Sequence, residues 1–251
     1  MRIRFYATGL VTLAAALCCA APVAFASAVP QTGPNLAAES MPPETRGDLF
    51  MARGEYVQAI DAYRQTSPMT ATAWNKLGIA WHHLSAFDEA RRDYQQALLI
   101  RPNYPEALNN LGATYFERKD YSKAIKLYRH ALELMPESAV VAANLGTAYF
   151  AKGKYKPGIV AYRKAFALDP GVFSDEAMVV RGGTSAEDRA QQDYCLAELF
   201  AQAGMKQSAL DYLRRAFNEG FHDRNRLMQD AVFAQLRRTA DFAHLMAEQK
   251  R

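Results

Sequence analysis

The sequence predicts an all-α fold, a solenoid of stacked antiparallel helix pairs, on three observations. Starting at Ala71, Pro105 and Ala139, the same residue types return every 34 positions: Leu77, Leu111 and Leu145; Gly78, Gly112 and Gly146; Tyr94, Tyr128 and Tyr162; Ala97, Ala131 and Ala165. Within a unit, positions 4, 7, 8 and 11 form one stripe of a first helix (helix A), and positions 20, 24 and 27 form the facing stripe of a second (helix B). Pro102, Pro136 and Pro170 then close the units, because proline lacks an N–H and clashes with the preceding turn. One such hairpin cannot bury its own apolar faces, so neighbours must stack.

Residues 1–26 read as a secretory signal. Arg2 and Arg4 give a positive start, Leu10 to Pro22 is apolar, and Ala24-Phe25-Ala26 offers a cleavage site before Ser27. Retention of residues 8–28 as a membrane anchor is the alternative. Cleavage takes Lys plus Arg from 30 to 28 against 26 acids, a charge of about +2. That total gives no reason to expect nucleic acid, which requires a concentrated basic face. Cleavage also removes Cys18 and Cys19, leaving Cys195 with no disulfide partner. No Asn-x-Ser/Thr sequon is present, and the combination fits a bacterial envelope.

Residues 27–44, rich in Pro, Gly and small polar residues, read as a linker. A degenerate unit follows over 45–70, with Gly47, Phe50, Tyr56, Ala59 and Tyr63 at positions 8, 11, 17, 20 and 24. Its helix B is expected to stop about one turn early, near Ser67-Pro68. Regular units occupy 71–104, 105–138 and 139–172. Lys156-Pro157 is expected to open the last helix B with proline at N1.

After Pro170 the period breaks. Residues 173–189 read as an insert, with a turn at Arg181-Gly182-Gly183 and a capping box of Thr184 with Glu187. Residues 190–251 hold a divergent hairpin, with Leu196, Phe200, Gly204, Ala209, Leu213 and Ala216 in phase. Phe233, Leu236, Phe242 and Leu245 then mark two short helices that cap the open end.

Trp74, Leu77, Gly78, Trp81, Ala90, Tyr94 and Pro102, with their counterparts in the next two units, resemble the tetratricopeptide repeat family over roughly half the chain. The resemblance implies a right-handed superhelix and a scaffold that binds protein. It also implies a concave surface lined by helix A at positions 2, 5, 6, 9, 12 and 13. On that mapping the candidate contacts are Asn75, Lys76, Ile79, Asn109, Asn110, Phe116, Asn144, Thr147 and Phe150. Asn110 and Asn144 sit where some family grooves hold a peptide backbone with side-chain amides, and Lys76 interrupts that ladder. Phe116 and Phe150 offer an apolar strip to a partner, with packing against a neighbouring helix as the alternative. The family's carboxylate clamp is not matched: of Asn75, Ile79, Asn110, Val140 and Asn144, only Asn110 fits.

No catalytic residue, cofactor or metal is expected. His82 and His83 are adjacent, so they point about 100° apart on a helix and cannot share an ion. Cys195 reads as a small buried hydrophobe. Pairs such as Glu89 with Arg92 read as a solvated face. The function expected is a non-enzymatic protein-interaction scaffold of the cell envelope, holding a peptide or partner helix in the concave groove. The location expected is the periplasm, with secretion or inner-membrane anchoring as alternatives. A self-assembling module, or a subunit of an envelope enzyme complex, remains open.

Overall fold

A computed structural model describes residues 40–173 and 185–248. Among them lie twelve α-helices and no strand. Ten of the helices form five hairpins: α1 (Pro43–Ala52) with α2 (Tyr56–Arg64), α3 (Ala71–His83) with α4 (Phe87–Ile100), α5 (Pro105–Glu117) with α6 (Tyr121–Leu134), α7 (Ala139–Ala151) with α8 (Tyr155–Leu168), and α9 (Ala186–Gln202) with α10 (Lys206–Asn218). They stack in chain order as a right-handed superhelical solenoid. The last two helices, α11 (Arg224–Gln229) and α12 (Ala240–Glu248), follow hairpin 5 with two 3-10 turns between them.

One contact recurs inside the first four hairpins. The position-8 glycine lies directly under the position-24 tyrosine ring: Gly47 under Tyr63, Gly78 under Tyr94, Gly112 under Tyr128 and Gly146 under Tyr162. A Cβ on Gly78 or Gly112 would come within 2.6 or 2.7 Å of the ring, so only glycine lets the two helices approach this closely. Hairpin 5 makes the opposite exchange. Its equivalent positions hold Ala197 and Leu213, both buried, so a larger floor meets a smaller lid.

The turn inside each hairpin needs one left-handed residue, at position 15. Gly54, Gly153 and Gly204 take it without strain, whereas Ser85 (φ 57°) and Lys119 (φ 61°) carry a Cβ into it.

The C-terminal tail buries Leu227, Phe233, Leu236, Phe242 and Leu245 in the same apolar cluster as hairpin 5. Each such side chain contributes about 1.5–3 kcal/mol on burial, which closes the end of the stack without another repeat.

Several sequence expectations shift. Helix α1 begins at Pro43, inside the stretch read as linker, because proline is at home in a first helical turn. Helix α2 has 9 residues against 14 in α4. Pro157 is the third residue of α8, not the first, and its missing N–H is still one the helix would leave unpaired. The capping box before α9 uses Ser185 and Asp188 rather than Thr184 and Glu187. The Ser185 side chain accepts from the Asp188 N–H, and the Asp188 carboxylate accepts from the Ser185 N–H. The helix therefore opens at Ala186, four residues before the expected hairpin boundary of 190. The signal, most of the linker and the Arg181-Gly182-Gly183 turn lie outside the described residues. No helix among the described residues is long and apolar enough to cross a membrane.

Candidate functional site

The helix-A face carries the residues singled out in the sequence, and their side chains mostly meet one another. Asn110 Nδ2 donates to Asn75 Oδ1 at 3.1 Å, and Asn144 Nδ2 donates to Asn109 Oδ1 at 3.0 Å. Asn109 Nδ2 in turn donates to Asn110 Oδ1 at 3.3 Å, joining the two bonds into one chain across three hairpins. In each inter-hairpin bond, position 6 of one unit reaches position 5 of the unit before it. Lys76 obeys the same rule in ionic form. It sits at position 6 and pairs with Glu44, at position 5 of hairpin 1, at 2.8 Å, and with Asp48 at 2.7 Å. Desolvation pulls the Lys76 ammonium down, but its hydrogen bonds to Asp48 and Glu44 outweigh that and hold it above the ordinary lysine value. At the fourth junction the two positions are Ala143 and Cys195, both buried in one apolar cluster. Lys76 is therefore a rung of different chemistry, not a break in the ladder.

These contacts correct the groove expected from the sequence. Asn75, Asn144 and Thr147 are buried, and Phe116 and Phe150 are 0% exposed. The aromatic strip does not exist as a surface. Phe116 packs on Tyr121 of its own helix B at 5.2 Å, and Phe150 on Tyr162 at 5.0 Å. Position 12 points into the hairpin because the small position-20 residue leaves room there; a Cβ on Gly158 would lie 2.9 Å from the Phe150 ring. Asn109, Asn110, Lys76 and Ile79 stay half-buried on the face. An amide has two N–H groups and two lone pairs. Asn110 spends one N–H on Asn75 and one lone pair on Asn109, which leaves capacity for a ligand.

The position-24 tyrosines extend the pattern inward. Tyr63 donates to Asp48 at 2.8 Å, and the Tyr162 and Thr147 hydroxyls lie 2.9 Å apart; Asp48 and Thr147 both occupy position 9. Hairpin 3 has Ala113 there, and the buried Tyr128 hydroxyl has no hydrogen-bond partner.

Sequence reasoning missed a recess of mixed polar and apolar lining where hairpin 4 meets hairpin 5. It measures about 150 Å³ and is lined by Thr147, Tyr162, Gln192, Asp193, Arg189 and Arg215, among others. Gln192 is 8% exposed. Its Oε1 accepts from the Tyr162 hydroxyl at 3.3 Å, and its Nε2 has no hydrogen-bond partner. Turned end for end, the amide would donate to the Tyr162 hydroxyl instead, and in either orientation one end keeps unused hydrogen-bonding capacity. Arg189 at the rim pairs with Glu219 at 2.6 Å. The one sequence signal was Gln192 itself, a long polar side chain on the apolar stripe that runs on to Leu196 and Phe200.

Burial pushes the Cys195 thiol up to about 12, which keeps it a neutral thiol. His83 stacks on Tyr56 at 4.5 Å, and His82 meets the edge of Phe87 at 5.2 Å. Among the described residues no group of three or more His, Cys, Asp or Glu is placed to hold a metal ion.

Stacked hairpins with side-chain rungs between them define a helical-repeat solenoid, an architecture of interaction surfaces. Residues 69–137 and 104–171, which span the three regular units, match the tetratricopeptide repeat model. The fold is consistent with a protein–protein interaction scaffold. Among solved structures, a crystal structure of MamA is 21% identical with a TM-score of 0.50, covering 69% of this chain and 93% of that one. A second MamA crystal form gives 21% and 0.50, covering 71% and 98%. The APC/C hetero-tetramer Cut9-Hcn1 gives 21% and 0.51, covering 77% of this chain and 34% of that one. At these identities the likeness is one of fold. Comparison with curated proteins finds no match.

Proposed function

We propose that this protein is an exported, non-enzymatic scaffold of the bacterial cell envelope that holds an extended segment of a partner protein. The partner's main chain runs along the half-buried amides of Asn109 and Asn110, and one of its carbonyl or carboxylate oxygens docks in the recess beside Thr147. The observation that carries this reading is the Gln192 carboxamide, a buried amide with unused hydrogen-bonding capacity in the lining of the recess. The N-terminal stretch that reads as a secretory signal supports the location.

The test is selection of extended peptides from a random library against the full chain, followed by affinity measurement on Gln192→Leu. A loss of about tenfold supports the reading, since one charge-free hydrogen bond to a buried amide carries about that much. Equal affinity for the parent and the variant overturns it. Export is tested separately by fusing residues 1–44 to a reporter active only outside the cytoplasm; a silent fusion removes the envelope from the account.

A further inference from the structure

The seam between second helices of successive hairpins can be followed position by position. Between hairpins 1 and 2 it is lined by Arg64, Leu77, Trp81, Glu89, Arg92 and Asp93. Between hairpins 3 and 4 the same six positions hold Arg129, Leu145, Tyr149, Pro157, Val160 and Ala161. The floor keeps its character, Leu with an aromatic ring. The wall changes from Glu, Arg and Asp to Pro, Val and Ala. What results is an apolar slot of about 450 Å³ between α6 and α8.

Val160 stands at its edge 66% exposed, at a position where the other two regular units carry Arg92 and Lys126. Val160 continues the apolar surface of Leu145, Tyr149, Pro157 and Ala161, and a contiguous exposed apolar patch, unlike a lone side chain, marks an interaction site. The charges around the slot say with what. Arg129 and Lys164 line it against one acid, Glu133. Among the described residues, no carboxylate forms an ion pair with Lys126, Arg129 or Lys164.

We propose that this slot docks an acidic amphipathic helix of a partner protein. Its apolar stripe seats between Tyr149 and Val160, and its carboxylates meet Arg129 and Lys164 at the rims. A flat anionic membrane fits less well, because the apolar surface here is a recess between basic rims, not a ridge projecting past them. The surface is separate from the Gln192 recess and stands or falls without it.

The test titrates the full chain with a synthetic helical peptide bearing leucines along one stripe and glutamates on the other faces. Controls are the same peptide with lysines for glutamates, a scrambled-stripe peptide, and vesicles of anionic phospholipid. The glutamate peptide is expected to bind, more weakly as salt rises, while the lysine and scrambled peptides do not. Val160→Asp, and separately Arg129→Glu with Lys164→Glu, are each expected to weaken it by about tenfold, with unchanged circular dichroism because all three side chains are exposed. Gln192→Leu is expected to leave this binding alone. Equal binding by parent and variants, no binding of the glutamate peptide, or vesicle binding lost in the same variants each overturns the proposal. So does a concentration-dependent dimer that Val160→Asp abolishes, which would give the slot to a second copy of this chain.

Discussion

The two faces of the stack treat the repeat differently. On the helix-A face, positions 5 and 6 of successive hairpins satisfy one another at every polar junction, by ion pair at Glu44 and Lys76 and by amides at Asn75 with Asn110 and Asn109 with Asn144. The chemistry of the rung varies while its pairing persists. On the helix-B face the seam changes without compensation: a charged wall at Glu89, Arg92 and Asp93 gives way to Pro157, Val160 and Ala161. Complementary change holds a stack in register, whereas uncompensated change marks a surface that looks outward to something else. The Gln192 recess belongs to the second kind.

The largest effect that would sharpen this comparison lies inside a hairpin, beneath both faces. Gly112→Leu drives a side chain into the Tyr128 ring and is expected to cost on the order of 1–3 kcal/mol in urea unfolding. An unchanged midpoint would mean the helices are not held together at that contact.

Next come the rungs themselves. Asn144→Ala removes a buried donor from Asn109 and is expected to cost about 1–3 kcal/mol at any salt concentration. Lys76→Met, at a rung whose side chains are partly exposed, is expected to cost at most about 1 kcal/mol, and less in high salt. If the two costs respond alike to salt, the distinction between amide and ionic rungs fails.

The smallest effect separates hairpins 3 and 4. Tyr162→Phe breaks a satisfied hydroxyl contact with Thr147 and should lose about 0.5–1.5 kcal/mol. Tyr128→Phe removes a hydroxyl that has no partner, so thermal melting should show no loss or a slight gain. Equal losses would show that position 9 does not decide the matter.

Much of this was legible beforehand, for reasons that can be stated. The glycine–tyrosine contact follows from two residues that recur in phase. The tail's apolar residues were legible but not its form: Phe233 and Leu236 fall in 3-10 turns, and only Phe242 and Leu245 share an α-helix. The rungs were legible too, since Asn75 to Asn110 and Asn109 to Asn144 are each 35 apart, one residue beyond the repeat. Reading asparagines one unit at a time hides that. Phe116 and Phe150 misled because position on a helix gives a direction but not what lies there; the small residue on the facing helix turned surface into core. The capping box slipped by one residue because Thr184 and Ser185 are chemically equivalent caps, and only the chain path chooses between them. The Gln192 recess depends on a junction where the period is broken, so no repeat position could announce it.

The central claim is that the buried Asn144 holds the stack while Gln192 meets the partner, and it is tested by measuring unfolding free energy and peptide affinity together on Asn144→Ala and Gln192→Leu. The account predicts a crossed result. Asn144→Ala loses stability and keeps the affinity of its folded fraction, whereas Gln192→Leu, relieved of an unpaired buried amide, keeps or gains stability and loses affinity. Two variants that lose affinity and stability in parallel would contradict it.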